Sequence, residues 1–196
     1  MADDFPRDPA CRPEVGSWSD IMHIAEEERA EVLGGRIHYR TMTRFYHSYT
    51  ADRVQRYTED RANRSVRGGW WVVREVHVRL NPDDVVVPDV AGWRIERLPE
   101  IPTEFPVTTL PEWVCEVLSP STQAYDRGEK GQAYLRAGVL WMWLVDPEAC
   151  TVEVRQALDG RWTMFGVWGA DATEALPPFD EEPLELASLF APPKRP

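Results

Sequence analysis

Two carboxylates interrupt otherwise apolar rows in this chain. In VVVPDVAG, Asp89 follows Val85 and Val87 at alternate positions, and in VCEVL, Glu116 lies between Val114 and Leu118 in the same way. A strand places alternate residues on one face, so each acid is presented from an apolar surface. A carboxylate buried alone is costly and tends to take up a proton, so two of them on interior strands call for a cation or for nearby partners. Capping a loop is the bland alternative for either one. Lys130 supplies a third group. The chain has 22 basic residues, of which only Lys130 and Lys194 are lysines, and Lys130 lies on the segment after the Glu116 strand, from which a flexible stem reaches back. An exposed i,i+4 pair with Asp126 is its competing role. In a chain that otherwise uses arginine, a lone lysine points instead to a compact ammonium beside a reacting oxygen. Glu31, bordering the face of Ile24 and Val32, is a fourth candidate. Asp, Glu and Lys with an extra Glu is an inventory for holding Mg2+ or Mn2+ through oxygens and setting a water against a phosphodiester. The lysine would orient or help deprotonate that water and offset charge in the transition state.

The elements that must position these groups can be read from periodicity. The segment SDIMHIAEEERAEVL reads as a first helix from Ser19, with Ile21, Ile24, Ala25 and Val32 on one face and Gly34-Gly35 as its stop. GRIHYR reads as a short strand, and residues 43–62 as a second helix rich in aromatics and arginine. WWVVREVHVRL and VVVPDVAGW suit paired strands around an NPDD turn. WVCEVLS is an apolar run of strand length, expected in the centre of a sheet covered on both faces. Residues 123–138 form a helix ended by Gly138, and LWMWLVDP, TVEVRQ and RWTMFGVW follow as strands. The order is not a βαβ repeat; it predicts an α/β domain with a mixed central sheet flanked by helices. Residues 18–190 form this domain, 1–17 a flexible arm and 191–196 a frayed tail.

A length of 196 residues with 43% apolar content suits one core. Three cysteines without metal-ligand spacing, no basic-apolar leader and no run near the roughly 20 apolar residues of a membrane span point to a soluble, cytoplasmic protein. A net charge of -11 excludes bulk attraction to nucleic acid. The charge is segregated, however: Arg36 to Arg79 holds ten arginines against four acids, net +6, leaving -17 elsewhere. On the second helix, Arg53 and Arg56 share an arc with Phe45, Tyr46, Tyr49 and Tyr57, which suits phosphate contact and base stacking or, equally, arginine stems covering an apolar stripe. The acidic stretch from Asp171 to Glu185 would face away from DNA, cover the site, or meet the basic region of a second subunit. Nine tryptophans exceed the needs of one small core, so some are candidates for a homodimer interface.

VVPDVAGW, PEWVCEVLSPST and YDRGEKGQAYLRAGVLWMWLVDPE, in that order, resemble the core signature of the Uma-two family of restriction-endonuclease-like proteins, within the PD-(D/E)XK nuclease superfamily. The resemblance covers residues 19 to 190. It implies a restriction-endonuclease-like fold and DNA cleavage with Mg2+ or Mn2+. It further implies Asp89 and Glu116 as metal ligands, the main-chain carbonyl of Val117 as another, Lys130 as the catalytic lysine and Glu31 as the family's helix-one glutamate. The residue two after Glu116 is Leu118 rather than the superfamily's lysine, which this family carries on the following helix, where Lys130 stands. His47 falls near a histidine seen early in the family's second helix; RTMTRFYHSYTADRV lacks the usual proline-rich lead-in, and ordinary packing is the competing reading. Two other classes compete: a catalytically silent nucleic-acid-binding or regulatory module that keeps the fold, and a metal-independent hydrolase with paired carboxylates, which leaves Lys130 without a task.

Overall fold

The computed structural model describes residues 14–23, 25, 30–39, 44–64 and 69–190; residues 191–196 and most of the expected arm lie outside these. Glu14 and Val15, the end of that arm, form β1 (Glu14–Val15), paired antiparallel with a later strand, so this part of it is in register with the sheet.

The first helix differs from expectation. Its start forms α1 (Trp18–Ile21), closed by a capping box from Ser17 and Asp20, Ala30–Leu33 is instead strand β2, and residues 24 and 26–29 lie outside the described residues. Gly34 and Gly35 both have positive φ, 60° and 72°. They form the two-residue connection of a hairpin between β2 and β3 (Arg36–Tyr39), in which Leu33 faces Arg36. A side chain at either position would be strained there, so the pair that reads as a helix stop is a hairpin turn.

Helix α2 (Phe45–Arg64) matches the expected second helix. Its buried positions Ala51, Val54, Thr58 and Ala62 fall on one face, and that face packs on the sheet carrying Trp70, Val72, Val90, Cys115 and Val117. The stretch expected as one hairpin is two nested ladders. β4 (Trp70–Arg74) pairs with β7 (Val90–Arg94), and inside them β5 (Val78–Arg79) pairs with β6 (Val85–Val86) around a turn in which Asn81 Oδ1 accepts from the N–H groups of Asp83 and Asp84. The two ladders belong to different sheets. A five-stranded sheet runs β1-β3-β2-β6-β5, while β4 and β7 enter a six-stranded sheet.

In that larger sheet β8 (Trp113–Val117) lies between β7, antiparallel, and β9 (Trp141–Asp146), parallel, followed by β10 (Thr151–Leu158) and the edge strand β11 (Arg161–Gly169). Every residue of β8 is buried. Trp113, Cys115 and Val117 face the α2 side and Val114 faces the other, as a strand covered on both faces requires. The second face is covered by a continuous helical segment: α3 (Gln123–Tyr125), a π-helical stretch (Asp126–Lys130) and α4 (Gly131–Ala137). Gly138, at φ 102°, caps it.

The acidic C-terminal stretch folds back on its own chain. β12 (Thr173–Glu174) pairs with β13 (Leu184–Glu185), and a 3-10 turn (Leu186–Leu189) follows. Leu176, Phe179, Leu184, Leu186, Leu189 and Phe190 complete the core on the α2 side. Three of the tryptophans are core residues on this side, Trp70, Trp113 and Trp143: Trp113 and Trp143 meet edge to face, Phe179 lies against all three, and the Trp143 indole N–H donates to the Pro177 carbonyl. Among the described residues no helix is long and apolar enough to cross a membrane.

Candidate active site

The chain passes from the small sheet to the large one through Val87, Pro88 and Asp89, which lie between β6 and β7 rather than within one continuous strand. Asp89 therefore does not share a strand face with Val85 and Val87. It turns toward the end of β8, where its Oδ2 accepts the Val117 N–H at 2.7 Å. His47 reaches the same oxygen from α2, with Nε2 at 3.2 Å. It does so because it stands four residues before Ala51, on the helix face that packs against the sheet.

Glu116 comes from β8 itself and is fully buried. Its Oε1 lies 3.0 Å from Lys130 Nζ and accepts the Tyr134 hydroxyl at 2.6 Å. Lys130 is 1% exposed, so the reading of it as a surface partner of Asp126 does not hold. Its Nζ donates to the Val87 carbonyl at 2.9 Å and stands 3.4 Å from Glu31 Oε2. Three oxygens thus surround an ammonium with three N–H donors. Glu31 reaches this point from β2, not from a helix, and its Oε2 also accepts the Val87 N–H at 2.8 Å. The peptide groups of Val87 are held on both sides, by Glu31 and by Lys130, which fixes the segment that presents Asp89.

Asp89, Glu116, Lys130 and Glu31 therefore converge where the two sheets meet, at the C-terminal end of β8. The π-helical stretch sets Lys130 at its end. Gly131 allows this packing, since a Cβ there would lie 3.1 Å from the Asp126 carbonyl. Side chains of the large sheet pin the stretch: Arg155 donates to the Arg127 carbonyl at 3.3 Å and the Trp162 indole to the Gly131 carbonyl at 2.8 Å. Such local departures from the α-helix recur at functional sites.

Four groups of this site were not legible as functional. Tyr134 is fully buried, four residues after Lys130, and that helical spacing was the available signal. Burial, and then the Glu116 carboxylate, push its hydroxyl pKa well up, so it remains a donor. Asp126 is buried too, and desolvation lifts its carboxyl to about 6 against the lowering effect of Lys130. Tyr125 and His38 stack with ring centres 4.4 Å apart. Burial and then Glu31 raise the Tyr125 hydroxyl, and burial lowers the His38 imidazole. Neither aromatic stands out in the sequence, because His38 reaches Tyr125 only through the β2-β3 hairpin.

The Arg53 side chain is committed elsewhere. It donates to the Ser188 carbonyl and the Tyr57 hydroxyl, both at 2.9 Å, and stacks over the Tyr57 ring. Arg61 holds the carbonyls of Glu182 and Pro183 in the same way. The acidic stretch thus meets the basic helix within one chain, through carbonyls, and of the two arginines singled out only Arg56 is exposed, paired with Asp52 at 2.9 Å.

A family model described as "Putative restriction endonuclease", Uma2, matches residues 18–187. The chain belongs to the Uma2 (Uma-two) family. Among solved structures it is similar to the crystal structure of a "putative nuclease belonging to DUF820" from Anabaena variabilis ATCC 29413, with a TM-score of 0.71 and 21% identity over 88% of this chain and 96% of that one. At that identity the likeness shows a shared fold. No curated protein matches the chain. Membership of a family described as "Putative restriction endonuclease" supports a nuclease function.

Among the described residues no three His, Cys, Asp or Glu side chains are grouped to hold a metal ion by themselves. Three carboxylates stand at the junction, Glu31, Asp89 and Glu116; the set considered for an ion is Asp89 and Glu116 with the Val117 main chain beside them. That set fits Mg2+ or Mn2+, which are bound through one or two carboxylates while keeping several waters and substrate oxygens. It does not resemble the nitrogen and sulfur cage of a zinc site.

Proposed function

We propose that this Uma2 protein is a DNA endonuclease that works with Mg2+ or Mn2+. The observation that carries the reading is the burial of Lys130 between Glu116 and Glu31, at the end of the central strand whose Val117 N–H holds Asp89. Such an arrangement is costly as mere scaffolding, because charges taken from water recover their hydration only through well-made partners. Asp89, Glu116 and the Val117 carbonyl would hold the ion, which when bound supplies Lewis acidity toward a phosphodiester oxygen and acidifies a water. Val117 N–H and His47 orient Asp89, and Tyr134 holds Glu116. The Lys130 ammonium orients the attacking water and offsets charge on the phosphoryl oxygens. Glu31 anchors the lysine and the Val87 peptide group, so that loading the site leaves Nζ with a fixed partner.

DNA is the substrate this reading assigns, with Arg56 on the exposed side of α2 as a phosphate contact. A homodimer is part of the same proposal. Met164, Phe165 and Val167 of the edge strand β11 are each about half exposed, at 53%, 51% and 55%, and residues 162–169 carry no charge. An uncharged, apolar sheet edge is unusual on a monomer.

The test incubates plasmid, linear duplex and single-stranded DNA with Mn2+, Mg2+ or EDTA, beside Asp89→Ala and Lys130→Ala variants. Cleavage that needs the ion and falls at least 100-fold in both variants is the expected outcome, on the scale of losing a charge-stabilising group. Cleavage that persists in EDTA or in the variants refutes the site, and absence of cleavage with every substrate favours a silent binding module.

A further inference from the structure

We propose that Tyr134 is the positioning residue of Glu116, holding its carboxylate ready for a divalent cation. The inference rests on the metal-dependent reading above. Oε1 of Glu116 receives two donors of different character. Lys130 Nζ, at 3.0 Å, ends a flexible stem and has other partners in Glu31 and the Val87 carbonyl. The Tyr134 hydroxyl, at 2.6 Å, ends a rigid ring that is fully buried among Val139, Met142 and Leu144. A cation arriving at Glu116 repels the ammonium and weakens that contact by like charge, but leaves a neutral hydroxyl in place. Tyr134 is therefore the donor whose hold on Glu116 survives loading. The ring is wedged in the core one helical turn after Lys130, so its hydroxyl cannot follow a displaced lysine. Second-tier groups of this kind orient ligands, and their loss typically weakens metal binding about 10- to 100-fold.

The experiment is a calorimetric titration of the full chain with Mn2+ in the absence of DNA, for wild type, Tyr134→Phe, Glu116→Gln and the double variant. The expected result is a rise in Kd of about 10- to 100-fold for Tyr134→Phe, with no further loss when the change is added to Glu116→Gln. Thermal unfolding in EDTA, run in parallel, separates this from a structural role, which would lower the unfolding temperature while leaving Mn2+ affinity of the folded protein unchanged. If Tyr134→Phe binds Mn2+ within twofold of wild type, the inference is overturned and the metal-dependent reading stands. If wild type binds no Mn2+, that reading fails and takes the inference with it. Should Tyr134→Phe not fold, Mg2+ titration of the wild type followed by NMR at the Tyr134 hydroxyl proton decides the matter. A shift whose midpoint matches that of a calorimetric Mg2+ titration supports the inference, and a resonance untouched by saturating Mg2+ overturns it.

Discussion

Replacing Lys130 with methionine removes a charge while keeping most of the volume of the stem, so the packing cost stays within about 1.5 kcal/mol. The electrostatic cost is larger. Three oxygens lose their donor: the Val87 carbonyl at 2.9 Å, Glu116 Oε1 at 3.0 Å and Glu31 Oε2 at 3.4 Å. Breaking a buried ion pair by deleting one partner costs about 3–5 kcal/mol, because a charge is left uncompensated. Here the loss falls toward the lower end, about 3 kcal/mol, since Glu116 keeps the Tyr134 hydroxyl and Glu31 keeps the Val87 N–H. Excess Mn2+ is expected to restore part of the deficit at pH 8 by replacing the missing positive charge. Urea unfolding followed through the buried tryptophans, once in EDTA and once with excess Mn2+ and no chelator, measures each term. A Lys130→Met variant as stable as wild type at pH 8, or one whose deficit excess Mn2+ leaves unchanged, would show that Lys130 is not the counter-charge of these acids.

Asp126 gives the wild type its own pH dependence. With its carboxyl lifted from 3.8 to about 6 by burial, its contribution is fully present below pH 3.8 and is lost as pH rises through about 6, a change of roughly 3 kcal/mol; Asp126→Asn flattens that slope, as unfolding between pH 4 and 8 will record. Arg53→Ala is expected to cost about 1–2 kcal/mol through the lost carbonyl and ring contacts, whereas Arg56→Ala changes stability by less than about 0.5 kcal/mol and instead lowers DNA affinity and its salt dependence. Equal effects of the two substitutions on unfolding would contradict the assignment of Arg53 to the C-terminal stretch. Phe165→Asp is expected to leave the fold intact and to turn the proposed dimer into monomer in light scattering, and a wild type that is monomeric at all concentrations removes that surface from consideration.

The candidate site was legible in sequence to the extent that its residues are rare in their surroundings. Asp89 and Glu116 break apolar rows, and Lys130 is the one lysine between residues 1 and 193. Those signals needed no knowledge of contacts, since apolar alternation and the scarcity of lysine are properties of the string. The central position of β8, the helix that returns Lys130 to it and its stop at Gly138 followed from local periodicity for the same reason.

What the string left open was pairing between distant segments. Residues 30–33 carry a pattern compatible with a helix, and they become a strand because Gly34-Gly35 turns the chain and Val32 pairs with Val85, more than fifty residues away. That choice carries Glu31 to the Val87 peptide instead of along a helix face. Arg53 and Arg56 look alike in sequence, and the C-terminal stretch folding onto α2 is what separates them. Tyr134 is one aromatic among many until the sheet brings Glu116 beneath it. Local composition thus determined which groups are candidates for the chemistry, while long-range strand pairing and helix packing, whose energies depend on partners far along the chain, decided which of them meet.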